Sequence, residues 1–298
     1  MKRTTFVSSA LSVAFLGGNA SRALAQVAGA ASPLPGFANG VEPDNVLVVI
    51  QMGGGNDGLN TVVPWSDDAY HRARPAIALA ENQILKLNDR IGFNPALKGL
   101  HELYQRGRVA LVQGVGYPSP NRSHFEATQI WETASPDRPQ QYGWLGRYLD
   151  RRFSNGAKPA SLFEAVSLGD ALPAALVASH VEVPAIGALA AFGYNTGRDL
   201  ASKQSAGVLY DGARPGQSPY LSLVAQTARD AYHGGEVLRK QTAEFTNKTT
   251  YPVNGFAQQL ALAAKLIGSS AGSKIVFVSL GSFDTHAGQR AQQDRLLG

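Results

Sequence analysis

The feature that most constrains this chain is a pair of short apolar runs set more than two hundred residues apart. Asn45-Val46-Leu47-Val48-Val49-Ile50-Gln51 lies in the N-terminal part, and Lys274-Ile275-Val276-Phe277-Val278-Ser279-Leu280 close to the C-terminal end. Both are rich in β-branched residues and lack the alternation of a strand with one wet face. Such runs suit strands buried on both faces, the kind found in parallel sheets. The stretch between them carries helical signals. Asn94-Pro95 is a helix start, and Leu97, Leu100, Leu103 and Tyr104 recur at helical spacing until Gly107. Further helices are expected over residues 123–133, 143–153, 218–240, 254–267 and 287–297, and shorter strands over 109–112, 161–168 and 181–186. Residues 188–216 have no clear period and read as loop or insertion. Strands alternating with helices predict a three-layer α/β/α sandwich with a mostly parallel central sheet.

Composition removes several classes of function. The 298 residues include no Cys, so disulfides, thiolate nucleophiles and Cys-ligated zinc or iron–sulfur centres are excluded. Any metal site must use His, Asp, Glu, Asn, Ser or Thr. The formal charge of +5 is mostly local: Lys2, Arg3 and Arg22 stand in the first 25 residues with no acid, leaving +2 for the rest. With no dense Lys/Arg run besides, a nucleic-acid partner is not expected.

Those first 25 residues have the layout of an export signal. Lys2-Arg3 is followed by an apolar, small-residue stretch from Phe6 to Gly18 and by the A-x-A site Ala23-Leu24-Ala25. Lys2-Arg3-Thr4-Thr5-Phe6 resembles a degenerate twin-arginine signal. No later segment is long and apolar enough to span a membrane. The expected organisation is therefore a signal at 1–25 outside the fold, a linker rich in Ala, Gly, Ser and Pro at 26–44, and an α/β domain at 45–298. The expected destination is the periplasm or the exterior of the cell.

In open α/β sheets, sites form beyond the carboxyl ends of strands. Three loops occupy that position. The first holds Gly53-Gly54-Gly55-Asn56-Asp57-Gly58. Gly53, Gly55 and Gly58 match a dinucleotide-binding pattern, but Asp57 would set a carboxylate beside the pyrophosphate and Pro64 interrupts the helix that should follow. No nucleotide cofactor is expected. The glycines can equally make a tight turn, or present Asp57 to a metal ion. The second loop leads to Arg122-Ser123-His124-Phe125-Glu126. Ser123 and Glu126 form a capping box, so the hydroxyl has a structural task; a helix N-terminus also suits a serine nucleophile, and Arg122 could grip phosphate or sulfate. The third loop carries Asp284-Thr285-His286, where residues two apart on an extended segment face one side and could share one ion. An Asp–His pair in a turn is the other reading.

Several stretches together resemble a known family. They are Gly54 to Pro64, Gly114-Val115-Gly116-Tyr117-Pro118, Arg122 to Ala127, Gly143-Trp144-Leu145-Gly146-Arg147-Tyr148-Leu149-Asp150, and Phe283-Asp284-Thr285-His286. In this order they resemble the exported bacterial proteins of the domain-of-unknown-function 1501 family, near the alkaline-phosphatase-like and sulfatase-like superfamily. The resemblance implies an alkaline-phosphatase-like core and a metal-dependent hydrolase of small phosphate or sulfate esters. Ser123 would be the nucleophile. Arg122, Asn56 and His124 would contact substrate. Asp57, Asp284 and His286 would be ligands of zinc, or of magnesium, manganese or calcium. Family members continue to a Glu-Phe-Gly-Arg segment and a Gly-Thr-Asp-His-Gly motif, so the chain resembles one truncated at the C-terminus, with an incomplete ligand set and close to inactive. The alternative is a non-catalytic exported binding or structural protein on the same scaffold.

Export makes a direct expectation. N-terminal sequencing of protein secreted from an expressing cell should begin at or next to Gln26. A soluble cytoplasmic product that retains Met1 would refute the signal.

Overall fold

The structure, a computed structural model, describes residues 13–16, 45–137, 140–154, 159, 161–188 and 233–298. The protein is a mixed α/β molecule with a small parallel sheet of three strands and a separate small antiparallel sheet. In the first sheet the strand order is β1 (Val13–Leu16), β2 (Leu47–Met52), β7 (Ile275–Leu280), β6 (Ala165–Leu168), with β1 antiparallel to β2 at the edge. The chain divides into two compact units. One comprises residues 1–145 and 279–298, the other residues 146–278.

In the first unit, β2 forms where the apolar run 45–51 was expected to. The four residues of β1 lie inside the stretch expected to be an export signal, and they pair from Val13↔Ile50 to Leu16↔Leu47. The four-residue run Val13-Ala14-Phe15-Leu16 supplies the backbone partners that an edge strand otherwise leaves open.

After β2 the chain makes a one-turn helix α1 (Gly58–Thr61), β3 (Val62–Val63), helix α2 (Asp68–Ala73), β4 (Leu85–Lys86), β5 (Gly92–Phe93) and helix α3 (Lys98–Gln105). The antiparallel sheet is ordered β3-β5-β4, with Val62 opposite Phe93 and Phe93 opposite Leu85. Each strand is two residues long, too short to carry a period, which is why pattern reading passes over them. Such a ribbon has little stability of its own. It is supported by a core of Val63, Tyr70 and Leu79, with Leu59, Trp65, Ala78 and Ile84 against it. Asn94 does not cap α3: its side chain accepts from the Ala96 amide at 2.9 Å and donates to the Asn60 carbonyl at 2.9 Å, and the helix starts one turn later.

The expected strand at 109–112 is absent. Residues 108–123 follow an irregular path, with Val112 56% exposed. An apolar run becomes a strand only beside an edge with free N–H and C=O groups, and none meets this one among the described residues. Helix α4 (His124–Thr133) follows with Ser123 as N-cap.

The second unit begins within helix α5 (Trp144–Arg152). Strand β6 pairs in parallel with β7 from Ala165↔Ile275 to Leu168↔Val278, and all four β6 residues are buried. The strand expected at 181–186 reduces to an isolated bridge between Ser167 and Ala185, with the Ile186 amide donating to Ser167 O at 2.8 Å. Pro184 explains the brevity, since proline lacks the amide that a continued ladder requires. Of the helix expected at 218–240, residues 218–232 lie outside the described residues, as do the linker 26–44 and the segment 189–216; residues 233–242 are helical and are labelled α6. Helix α7 (Gly255–Gly268) starts at Asn254, whose side chain accepts from the Ala257 amide at 2.8 Å. The core of this unit gathers Phe163, Val166, Leu168, Leu176, Ile186, Leu238, Leu266, Val276 and Val278.

Tyr70 is the polar member of the first unit's core, 4% exposed. Its hydroxyl donates to Asn60 Oδ1 at 2.8 Å and accepts from the Leu79 amide at 2.8 Å. Burial pushes the phenol above its ordinary value of 10.0, partly offset by the Leu79 amide and the nearby Arg74. A phenol whose folded pKa is raised contributes stability that is intact below pH 10.0 and declines as pH rises through the folded value. Tyr70→Phe strands the Leu79 amide and should cost about 1–3 kcal/mol. In thermal melts the variant should be less stable at neutral pH and lack the part of the alkaline loss that Tyr70 causes.

Candidate functional site

The site grows out of the turn that ends β2. The Gly53 amide donates to the Leu280 carbonyl at 2.9 Å, and the Phe283 amide donates back to the Gly53 carbonyl at 3.2 Å. This pairing sets the glycine loop beside the loop that follows β7. Gly54 and Gly55 then take φ of +96° and +81°, the left-handed region that L side chains avoid. Both also need the space that a hydrogen leaves. A Cβ on Gly54 would lie 2.9 Å from the Asp284 amide nitrogen, and one on Gly55 would lie 2.7 Å from His124 Cε1.

The consequence is a convergence of three sequence-distant segments. Asp57, Asp284 and His286 line one open pocket of about 210 Å³, together with Gly55, Phe283, Thr285, Gln289 and Gln293. His286 Nε2 lies 3.1 Å from the Asp284 carboxylate, and His124 Nε2 lies 3.4 Å from Asp284 Oδ1. A single carboxylate therefore faces two imidazoles, one from the start of α4 and one from the loop after β7. All three side chains are open to solvent, at 43% for Asp284, 51% for His124 and 85% for His286.

Asp57 is held differently. It is the N-cap of α1, and its Oδ1 accepts from the Leu59 amide at 3.1 Å. Its Oδ2 accepts from both Arg74 Nη1 and Gln289 Nε2. The ion pair with Arg74 is sheltered, with side-chain exposures of 14% and 19%. Asp57 is thus a satisfied carboxylate whose bonds go to Leu59, Arg74 and Gln289 and not to the His124–Asp284–His286 group with which it shares the pocket. Among the described residues, no group of three or more His, Asp or Glu side chains is set to hold a metal ion. In this arrangement a cation does not fit the expected set of Asp57, Asp284 and His286, because Asp57's charge is already met by a guanidinium.

The other expected site residues are placed as follows. Asn56 is 2% exposed and does not reach the pocket: its amide donates to Thr61 Oγ1 at 2.9 Å, and its oxygen accepts from Gln293 at 3.2 Å. The buried amide, with both ends satisfied, holds the loop. Ser123 is exposed, its Oγ accepting from the Glu126 amide at 3.5 Å and its own amide donating to Asn121 Oδ1 at 2.7 Å. Arg122 is exposed beside it. Neither Ser123 nor Arg122 lines the pocket, although His124, the next residue, reaches Asp284.

Three residues at the site escape motif reading: Arg74, Gln289 and Gln293. Helix α8 (Gln289–Leu297) presents the two glutamines one turn apart, on one face. Gln293, 2% exposed, donates to Asn56 Oδ1, to the Asp57 carbonyl at 2.9 Å and to Thr61 Oγ1 at 3.1 Å. The i, i+4 spacing was the available signal. Arg74, ahead of Pro75, carries none.

Comparison with protein-family models, with curated proteins and with solved structures finds no match to this chain.

The two glycines should differ in sensitivity. The left-handed φ alone costs an alanine about 1–2 kcal/mol at either position. Gly54→Ala meets backbone that cannot turn aside, whereas Gly55→Ala meets the end of an imidazole that can rotate away. Gly54→Ala should therefore lower the melting temperature more than Gly55→Ala. Gly55→Ala should instead shift the NMR resonances of His124 with a smaller loss of stability.

Proposed function

We propose that the chain is an exported hydrolase of small phosphate or sulfate esters, built on the three-layer alkaline-phosphatase-like scaffold. The observation that carries this reading is the convergence of Asp57, Asp284 and His286 on one pocket, with the start of α4 brought alongside through His124. It supports the reading that the family resemblance suggests. Ser123 is the assigned nucleophile, at the N-terminus of a ten-residue helix whose unpaired amides favour the negative charge of a bound ester. Arg122 beside it offers a guanidinium fork for the ester's anionic oxygens. His124 and His286 are the side chains that would face the substrate across Asp284. No step is routed through a cation, since the present arrangement leaves Asp57 closed to one. Export rests on the basic start, apolar stretch and A-x-A site of residues 1–25, and among the described residues no helix is long and apolar enough to cross a membrane.

A second reading has its own support. Ser123 Oγ is engaged as a cap, and Asp57 is paired with Arg74. Both residues have structural work to do, as they would in a non-catalytic exported binding protein that uses the same pocket.

Hydrolysis separates the two. The chain, supplied with zinc or manganese, is assayed on p-nitrophenyl phosphate and p-nitrophenyl sulfate beside Ser123→Ala. The expected outcome is release of p-nitrophenol close to background, with what remains lost in the variant. Release unchanged by Ser123→Ala would overturn the assignment of the nucleophile. An ester that binds, competes with inorganic phosphate or sulfate and is never cleaved would assign the second reading.

A further inference from the structure

We propose that strand β1 holds a place that passes to another segment of this chain. While residues 1–25 are attached, β1 fills the outer edge of β2; once they are removed, residues 109–112 take that edge as a parallel strand. The inference rests on the export reading of residues 1–25. It is independent of any hydrolytic activity.

Two features of the first unit are left unmatched by the fold. Residues 109–112 read Val-Ala-Leu-Val, a run with strand composition, yet among the described residues they form no strand. Val109 and Leu111 are half-buried while Ala110 and Val112 are exposed, the alternation of an extended segment with one face covered. The outer edge of β2 is the second feature. It is paired residue for residue by β1, from Val13↔Ile50 to Leu16↔Leu47. That partner lies upstream of the cleavage site Ala23-Leu24-Ala25. Its removal leaves the amides and carbonyls along one side of residues 47–50 without partners in the sheet, an edge open to the nearest extended segment.

Residues 109–112 suit that edge in length, direction and reach. They are four in number, as the residues of β1 are. Between β2 and them the chain passes through α1, α2 and α3, the kind of long, helical connection that a parallel pairing requires. Strands β2, β7 and β6 already form a parallel sheet, and a strand added beyond β2 in the same direction extends it. Downstream, α4 is fixed near the carboxyl end of β2. Gln51 Nε2 donates to Glu132 Oε1 at 2.9 Å, and His124 stands against Gly55. A parallel strand would end on that same side. The eleven residues 113–123 can span at most about 35 Å, and neighbouring strands are about 5 Å apart, so α4 need not move.

The test is amide hydrogen exchange, read by mass spectrometry, on the full chain and on a chain that starts at Gln26 behind an initiating Met. Each is measured with and without Ala110→Pro/Leu111→Pro. Neighbouring residues of a strand present their amides to opposite sides, so one proline of the pair removes an amide that faces β2. Residues 109–112 should exchange about tenfold or more slowly in the shorter chain than in the full chain, with residues 47–50 protected in both. The proline pair should strip the protection of 47–50 and lower the melting temperature in the shorter chain. It should change neither in the full chain, where β1 holds the edge. Equal exchange of 109–112 in the two chains overturns the proposal, and so does a shorter chain indifferent to the prolines. Protection of 47–50 that grows with protein concentration while 109–112 stay fast assigns the edge to a second copy and overturns it as well. Should circular dichroism show the shorter chain unfolded, the full chain carrying Val13→Pro/Ala14→Pro, in which β1 loses its ladder, decides: slower exchange of 109–112 than in the parent supports the proposal, and an equal rate overturns it.

Discussion

The geometry of the candidate site depends on two backbone hydrogen bonds at Gly53. Its amide meets the last carbonyl of β7, and its carbonyl meets the Phe283 amide beyond that strand. Buried amide and carbonyl groups must find partners, and here they find each other across more than two hundred residues of sequence. Once this contact is made, the register of everything after it follows. Gly54 brings the backbone against Asp284, Gly55 brings it against His124, and Asp57 is delivered to the rim of the pocket as the cap of a one-turn helix.

A polar network carries the loop's position into the rest of the first unit. Asn56 and Thr61 bond to each other and to Gln293. Asn60 joins the loop to Tyr70 and, through its amide, to the Ile77 carbonyl at 2.9 Å; its own carbonyl takes the amide of Asn94, which also reaches Asp294. Networks of this kind gain strength in a low-dielectric interior when every member is satisfied, and lose it steeply when one is not. This accounts for an antiparallel sheet of two-residue strands that could not stand alone. It also ties the site's acid to the fold: Asp57 is at once the rim of a pocket and the end of a chain of structural bonds.

The parts of the fold legible in the sequence are those whose cause is local. The apolar runs near 45–51 and 274–280 became β2 and β7: β7 buries its first four residues on both faces, whereas β2 buries Val49 and leaves its other residues half-buried. Ser123 and Asn254 mark helix starts because their short side chains bond their own following amides. The run at 109–112 has the same composition as a strand and is none, because composition cannot provide a neighbouring edge. The segment at 181–186 reaches such an edge and is cut short by Pro184. The three strands of the second sheet were invisible for the opposite reason: two residues cannot display a period.

For the site, the sequence by itself determined which chemical groups are available and which loops carry them. It has no thiol, it has an Asp after a glycine turn, a Ser-His at a helix start and an Asp-Thr-His after a second buried strand. Those are properties of residue type and short spacing. What only the tertiary structure decided is which group faces which. It set His124 and His286 against the same carboxylate, it turned Asn56 inward, and it closed Asp57 with an arginine seventeen residues on and a glutamine 232 residues on. An isolated carboxylate reads as a ligand in any sequence. Whether it meets a cation or a guanidinium depends on electrostatic interactions that act over a few ångströms in space, and spacing along the chain carries no record of that distance.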